Sequence, residues 1–384
     1  MFRWHPKARV FDGTGRQFGP VGDGPALIDE RPAGLALAQA IAAGAFRVGG
    51  TGPAPVGAFE TLTSGSSGVP RRIRRSAASW TSSFAVNAGL FGIGPGLQVA
   101  VLGRMTQSLA LYGGIEAVHL GADLHLLDGL RPDRQAMALQ RAQLVYATPA
   151  QMRGVVQAGV AWPDLCHVVI GGAKLDPVLR ADLHALTPAA RVHEFYGAAE
   201  ASFITLADAN SPTASVGRPY PGVQLVVDAA AGANGEIWVK SPYLFESYAH
   251  DIEGEASTAR WRDGFLSVGE VGRLVDGDLF LAGRAGRMVT VADHNVFPEE
   301  IEGFLQGLAG VLRAAVLPVP DALRGVHLVA VLHGDAGQGA AVLAALRAHM
   351  GPLRAPKRLI WRRDWPELPS GKTDLRLLAA EVAG

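Results

Sequence analysis

The sequence has almost no sulfur to cross-link with: one cysteine, Cys166, in 384 residues. A single thiol cannot close an intramolecular disulfide, and without a cysteine cluster a structural zinc centre is not expected. That pattern suits a reducing compartment, so a cytoplasmic location is expected. Charge of one sign is not in surplus either, since Lys plus Arg and Asp plus Glu both number 35. No global attraction to nucleic acid or to an anionic membrane results, and any anion site has to be local. No stretch approaching ~20 residues is continuously apolar. The start, Met1-Phe2-Arg3-Trp4-His5-Pro6, lacks a basic segment followed by an apolar one, so neither membrane insertion nor export is expected. No segment has the full Gly-x-x-x-x-Gly-Lys-Ser/Thr spacing of a Walker A loop, which argues against a P-loop NTPase or kinase. The 11 histidines show no metal-ligand spacing.

What is there is the material of a large globular protein, 48% apolar and 18% charged. The length exceeds the roughly 250–300 residues at which one core stops growing, so two domains are expected. Between residues 97 and 196, short β-branched runs alternate with helical patterns, which predicts a parallel sheet covered by helices. The strands are expected at 99–102, 124–127, 144–147, 167–170 and 192–196, with helices at 135–141, 149–157 and 177–186. Ligands in such α/β folds collect at the carboxyl ends of strands. After Ser215 the pattern changes to hairpins, at 223–227 with 236–239 and at an Asp276-Gly277 turn, predicting a small antiparallel layer. Beyond residue 283 comes another α+β set: a helix over 298–308, strands at 314–318 and 326–332, a helix over 340–350 and a strand near 358–361. Gly283 and Gly286 permit backbone rotation, so the boundary is placed at 283–287, dividing residues 1–282 from 287–384.

Chemistry concentrates first in Thr63-Ser64-Gly65-Ser66-Ser67-Gly68-Val69-Pro70-Arg71. Two glycines let backbone N–H groups converge, the hydroxyls add donors and Arg71 adds charge, a composition suited to a polyphosphate. Taken alone, the segment is equally readable as a flexible loop. It lacks the Gly-x-Ser-x-Gly spacing of a nucleophile elbow.

Taken together with several segments nearer the C-terminus, this loop resembles the phosphate loop of the acyl-adenylate-forming superfamily: acyl-CoA synthetases, stand-alone adenylation domains and luciferase-like enzymes. Glu194-Phe195-Tyr196-Gly197-Ala198-Ala199-Glu200 resembles that family's Tyr-Gly-x-Thr-Glu segment. Gly235-Glu236-Ile237-Trp238-Val239, Asp263-Gly264-Phe265-Leu266-Ser267-Val268-Gly269-Glu270, Gly283-Arg284, Asn295-Val296-Phe297-Pro298-Glu299-Glu300-Ile301-Glu302 and Leu368-Pro369-Ser370-Gly371-Lys372 then come in family order.

The resemblance implies a large adenylation core with mixed and parallel sheets, followed by a smaller mobile C-terminal lid. It implies ATP and Mg²⁺, a small carboxylic acid as substrate, and acyl-AMP with pyrophosphate as products. Transfer to coenzyme A or to the arm of a carrier protein would complete the reaction. Residue by residue, Thr63, Ser64, Gly65, Ser66, Ser67, Gly68 and Arg71 would hold phosphates, and Tyr196 and Gly197 the adenine. Glu200 would ligate Mg²⁺, its alternative being a helix-start carboxylate. Glu270 and Arg284 would bind ribose or phosphate, Arg284 having a surface salt bridge as its other reading. Gly171, Gly172 and Ala173 would line the acyl and adenine pockets, with Gln107 beside the acid and Gly286 as hinge. Lys372 would contact the carboxylate and α-phosphate during adenylation.

Several positions depart from the family's pattern. Arg71 replaces lysine, Ala199 threonine, Glu270 aspartate and Gln107 histidine. Asp293 stands where relatives have glycine beside the pantetheine path, which weighs against the thioester step. The region before the phosphate loop is expected to be an abbreviated strand near 26–29 and a helix over 32–43. Arg71-Arg72-Ile73-Arg74-Arg75 reads either as a steering patch for ATP or as a solvated charged face. A non-catalytic protein that holds ATP or an acyl adenylate is the alternative these departures leave open.

Overall fold

The computed structural model describes residues 1–21, 32–49, 56–63, 71–249, 259–291, 294–321, 325–352, 354–368 and 371–383. They divide into two compact units, one of Met1–Pro212, Val216–Leu225 and Val239–Leu266, the other of Thr213–Ser215, Val226–Trp238 and Ser267–Gly384. The segment 283–287 lies inside the second unit.

The first unit is built on a 9-stranded sheet. Its middle is parallel, in the order Arg191–Ala198, His167–Gly171, Leu144–Ala147, Gln98–Val101, Asp123–Leu126, Arg9–Asp12. Antiparallel strands close the two ends. Alternate residues split the core into two faces, as the two-residue strand period requires. Val99, Val101, Leu144, Tyr146 and Val169 pack against helices Ala78–Phe91 and Ser108–Leu120. Ala100, Val145, Ala147, Val168 and Ile170 pack against helices Pro132–Leu139, Pro149–Val156 and Pro177–Leu186. This is the doubly wound arrangement that the alternation predicts, with all five expected strands within a residue or two of their places.

Among the elements not expected are one strand and two helices of this unit. Strand Arg9–Asp12 is too short to stand out, and the strand expected near 26–29 lies outside the described residues; the helix expected after it runs over Ala33–Ala43. Helices Ala78–Phe91 and Ser108–Leu120 hide their period. The first is rich in Ser and Ala, and the second is buried nearly all round. Gly113 belongs in that helix because a Cβ there would come within 2.5 Å of the Tyr146 ring, so the glycine lets the helix press onto the sheet.

A carboxylate sits inside this packing. Glu116 is fully buried, and its Oε1 accepts hydrogen bonds from Asn87 Nδ2 at 2.8 Å and Tyr112 Oη at 3.1 Å. Tyr146 Oη donates to Oε2 at 2.5 Å, while Tyr220 Oη donates to Asn87 Oδ1 at 2.6 Å. No cation among the described residues pairs with it, and burial pushes its pKa up to about 7 against the hydrogen bonds that hold it down.

The second unit carries the hairpin Glu270–Val275/Asp278–Arg284 on the expected turn, with Asp276 at φ 52 and Gly277 at φ 87, the signs a type I′ turn demands. Beyond it, helix Pro298–Gln306 and helix Gly339–Met350 cover one face of the sheet formed by Val311–Asp321, Gly325–Gly334 and Arg358–Arg362. Helix Leu375–Ala383, absent from the sequence expectations, covers the other face through Leu378 and Val382.

Candidate functional site

Within the first unit the chain passes from Gln98–Val101 to its neighbour Asp123–Leu126, then returns to Leu144–Ala147 on the other side. Helices Ser108–Leu120 and Pro149–Val156 therefore leave toward opposite faces, opening a crevice at the strands' carboxyl ends, the usual ligand position in such sheets. Gln107 and Gln151 meet there, Gln151 Nε2 donating to Gln107 Oε1 at 3.3 Å. Gln151 is itself fixed by a capping box, its Oε1 accepting from the Thr148 backbone while Thr148 Oγ1 accepts from the Gln151 backbone. Thr148 Cγ2 in turn would lie 3.6 Å from a Cβ at Gly172.

The next strand ends at Gly171, and Gly172, at φ 92, and Ala173 lead through Asp176 into the capped helix Pro177–Leu186. Buried Glu194 holds this turn, accepting from Leu175 N at 3.0 Å and Lys174 Nζ and Arg180 at 3.1 Å each. The ring of Phe195 occupies the space beside Gly171, where a Cβ would come within 2.1 Å of it. Tyr196 and Gly197 close the same strand. Gly197 is required by backbone alone, since a Cβ would stand 2.0 Å from the Ser202 carbonyl oxygen.

Glu200 lies in the hairpin turn between Arg191–Ala198 and Ser202–Ala207, which removes the helix-start reading. Its Oε1 accepts from Tyr248 Oη at 2.9 Å, and among the described residues nothing donates to Oε2. Thr63 and Arg71 pair across the neck of the segment expected to hold phosphates, Thr63 N donating to Arg71 O at 2.8 Å and Arg71 N to Thr63 Oγ1 at 2.9 Å. Its stem is the pair Ala58–Leu62/Arg72–Ser76. Ser64, Gly65, Ser66, Ser67 and Gly68 lie outside the described residues, as do Asp293 and Ser370. The Arg71 guanidinium sits over the Tyr248 ring at 5.4 Å, so loop neck and Glu200 meet at one tyrosine.

The basic run after Arg71 is neither a steering patch nor a solvated face. Arg72 donates to the Val48 and Gly49 carbonyls, and Arg74 pairs with buried Glu60 at 2.9 Å. Arg75 is 1% exposed and donates to Tyr243 O at 2.8 Å and to the Ala199 carbonyl. Burial brings its guanidinium pKa down to about 10, opposed by the negative charge of Glu200.

A second group forms within the second unit. Glu270 and Arg284 face each other across the hairpin register, with Arg284 Nε 3.4 Å from Glu270 Oε1. The surface salt bridge considered for Arg284 is thus made to a largely buried carboxylate of the candidate site. Burial raises the Glu270 pKa, and the charges of Arg284 and Lys372 draw it back, so all three stand in one electrostatic neighbourhood. Lys372 occupies a closed turn, in which Gly371, at φ 77, donates to Leu368 O and Leu368 donates to Lys372 O, both at 2.8 Å. Gly286 is the middle of the turn Ala285–Arg287, where a Cβ would meet nothing within 4 Å.

Sequence reasoning missed Tyr248 and Gln151, and with them the buried place of Arg75. The Thr148-x-x-Gln151 pattern was a legible capping signal; the other two act only across the fold. No helix among the described residues is long and apolar enough to cross a membrane.

Comparison with known proteins gives these positions a context. The AMP-binding enzyme family matches residues 57–249. An uncharacterized acyl-CoA ligase, YhfT of Bacillus subtilis, is 30% identical over 324 residues, covering 81% of this chain and 66% of its own length. The chain therefore spans just under two thirds of that relative. Among solved structures, the amide bond synthetase McbA of Marinactinospora thermotolerans superposes with a TM-score of 0.75 at 24% identity over 97% of this chain and 79% of its own. ATP-bound MatB of Rhodopseudomonas palustris superposes with a TM-score of 0.73 at 24% identity, covering 84% and 67%. At this identity the structural likeness speaks to the fold.

Proposed function

Because the chain belongs to the AMP-binding enzyme family, we propose that it uses ATP to convert a carboxylic acid to its acyl-AMP, then passes the acyl group to a thiol. The observation that carries this reading is the grouping of Glu270, Arg284 and Lys372, two cations about one carboxylate, from three separate stretches of sequence. In the first step a carboxylate oxygen attacks the α-phosphorus, the bond to the bridging oxygen breaks and pyrophosphate leaves. Such a reaction needs positioning and charge stabilisation and no protein nucleophile. Arg71 and the loop it closes hold the phosphates, Tyr196 faces the adenine, Glu270 accepts from the ribose, and Lys372 offsets charge at the reacting oxygens. Gln107 and Gly171 border the acid, and Gly172 and Ala173 the nucleotide. Glu200, a hard oxygen donor whose Oε2 accepts from nothing among the described residues, fits Mg²⁺, which is commonly held by one or two carboxylates plus substrate phosphates. When bound, Mg²⁺ would supply neutralisation of phosphate charge.

In the second step a thiolate of coenzyme A or of a carrier-protein arm attacks the acyl carbon and AMP leaves. Residues 287–384 act as a lid turning about 283–287, with Gly286 as pivot, and the reaction runs in the cytoplasm. Retention of Glu200, Arg284 and Lys372 together favours turnover over a binding-only role. The test is incubation with ATP, Mg²⁺ and a panel of aryl and fatty acids, with and without coenzyme A, resolving nucleotides and pyrophosphate. With a thiol acceptor AMP and pyrophosphate in equal amounts are expected, and without one pyrophosphate with acyl-AMP; ADP without AMP would remove the reading.

A further inference from the structure

The strand Ser247–Tyr248 is the third strand of the phosphate-loop sheet, with Tyr248 opposite Ile73. Main-chain bonds tie it on both sides: Glu246 N to Arg74 O at 2.9 Å, Ala249 N to Arg72 O at 3.0 Å, and Phe245 N to Glu200 O at 2.8 Å. Its backbone is therefore fixed at once to the loop stem and to the turn that bears Glu200. The Tyr248 ring is held edge-on by Phe245 at 5.1 Å between centroids, and Phe245 stacks in turn on Trp261 at 6.0 Å. From this anchored position the hydroxyl donates to Glu200 Oε1 and the ring face carries the Arg71 guanidinium.

We propose that Tyr248 is a positioning residue of the ATP site, fixing the Glu200 carboxylate through its hydroxyl and Arg71 through its ring. The inference rests on the ATP-activating reading above. A glutamate in a hairpin turn otherwise has three side-chain torsions free, and an arginine four. Holding both before the ligand arrives removes ordering that binding would have to supply. The hydroxyl also bonds to Oε1, which leaves Oε2 without a donor among the described residues. Tyrosine serves the two groups in separable ways, because phenylalanine retains the ring and loses only the donor.

The experiment measures Mn²⁺ binding by electron paramagnetic resonance with a non-hydrolysable ATP analogue, and analogue binding without metal by calorimetry. Tyr248→Phe should weaken Mn²⁺ about 10-fold, as loss of an outer-shell partner does, and leave metal-free analogue binding unchanged. Tyr248→Leu should add roughly a 3- to 10-fold loss of metal-free binding, through Arg71. In a Glu200→Gln background the Phe change should cost nothing further. Melting temperatures identify any variant that loses binding by unfolding, and the Phe variant keeps the Phe245 packing that guards against this. Wild-type Mn²⁺ affinity in Tyr248→Phe, or an equal loss in the Glu200→Gln background, would overturn the proposal. If the wild type forms AMP and the Phe variant binds normally, Tyr248 fails and the ATP-activating reading stands. If no acid yields AMP yet the Phe variant loses Mn²⁺, the reverse holds. A wild type that binds no Mn²⁺–nucleotide overturns both.

Discussion

Replacing Glu116 by glutamine should flatten the way stability of this protein changes with pH. The carboxyl is buried among Tyr112, Tyr146 and Asn87, and burial raises its pKa from 4.5 to about 7. A raised carboxyl pKa means that the folded state binds the proton more tightly than the unfolded one. The stabilisation is therefore fully present below pH 4.5 and is lost as pH rises through 7. The slope approaches ~1.4 kcal/mol per pH unit inside that window, and the whole loss is about 3 kcal/mol. His193, lowered to about 4 mainly by burial, works in the opposite sense below its ordinary value of 6.5. For that reason the informative quantity is the difference between wild type and Glu116→Gln, in which His193 cancels. Glutamine keeps one acceptor for Asn87 and Tyr112 but turns a donor toward Tyr146, an imperfect match costing about 1–3 kcal/mol at all pH values. The variant should thus be clearly less stable at pH 5 and should draw level with or pass the wild type by about pH 8. Urea unfolding at half-unit steps, followed by tryptophan fluorescence, measures this, since Trp80 lies 5.2 Å from Tyr112. Parallel curves for the two proteins would refute the reasoning, because they would mean that Glu116 is no harder to ionise folded than unfolded.

Two further changes probe the candidate site. Lys372→Ala should slow acyl-AMP formation about 10²–10³-fold, the usual loss for a preorganised donor, while chemically supplied acyl-AMP is still consumed at a near-normal rate with a thiol acceptor. Normal adenylation by that variant, measured by pyrophosphate exchange, would defeat the assignment. Gly197→Ala places a Cβ 2.0 Å from the Ser202 carbonyl oxygen and should destabilise by about 1–3 kcal/mol or more, read as a lowered melting temperature with weakened ATP binding. An unchanged melting temperature and unchanged ATP binding would show that this hairpin can open without cost.

The parallel sheet was legible because its strands are short, continuous apolar runs between helical patterns. Leu144–Ala147, with every residue buried, stands out even without alternation. Helix Ser108–Leu120 did not stand out for the same physical reason, since an element surrounded by core has no polar face to mark its period. Candidate site residues were legible where a short segment carries its own chemistry, as in Gly371-Lys372 or Tyr196–Glu200. What sequence could not supply was partnership. Nothing local joins Tyr248 to Glu200, 48 positions away, and the basic run after Arg71 looked available because Glu60, Val48 and Tyr243 claim its arginines only in three dimensions.

Phe195 and Gly171 share one volume, and this restricts the order in which the crevice wall can change. Any side chain at 171 collides until 195 becomes smaller, whereas shrinking 195 first leaves a gap that a later change at 171 can fill. The two positions are therefore coupled in history as well as in space, and one of the two mutational routes between neighbouring pocket shapes is closed. Variation introduced one position at a time would find only failures at 171 and only loosened packing at 195. Libraries that vary the pair together are the ones that can reshape this wall.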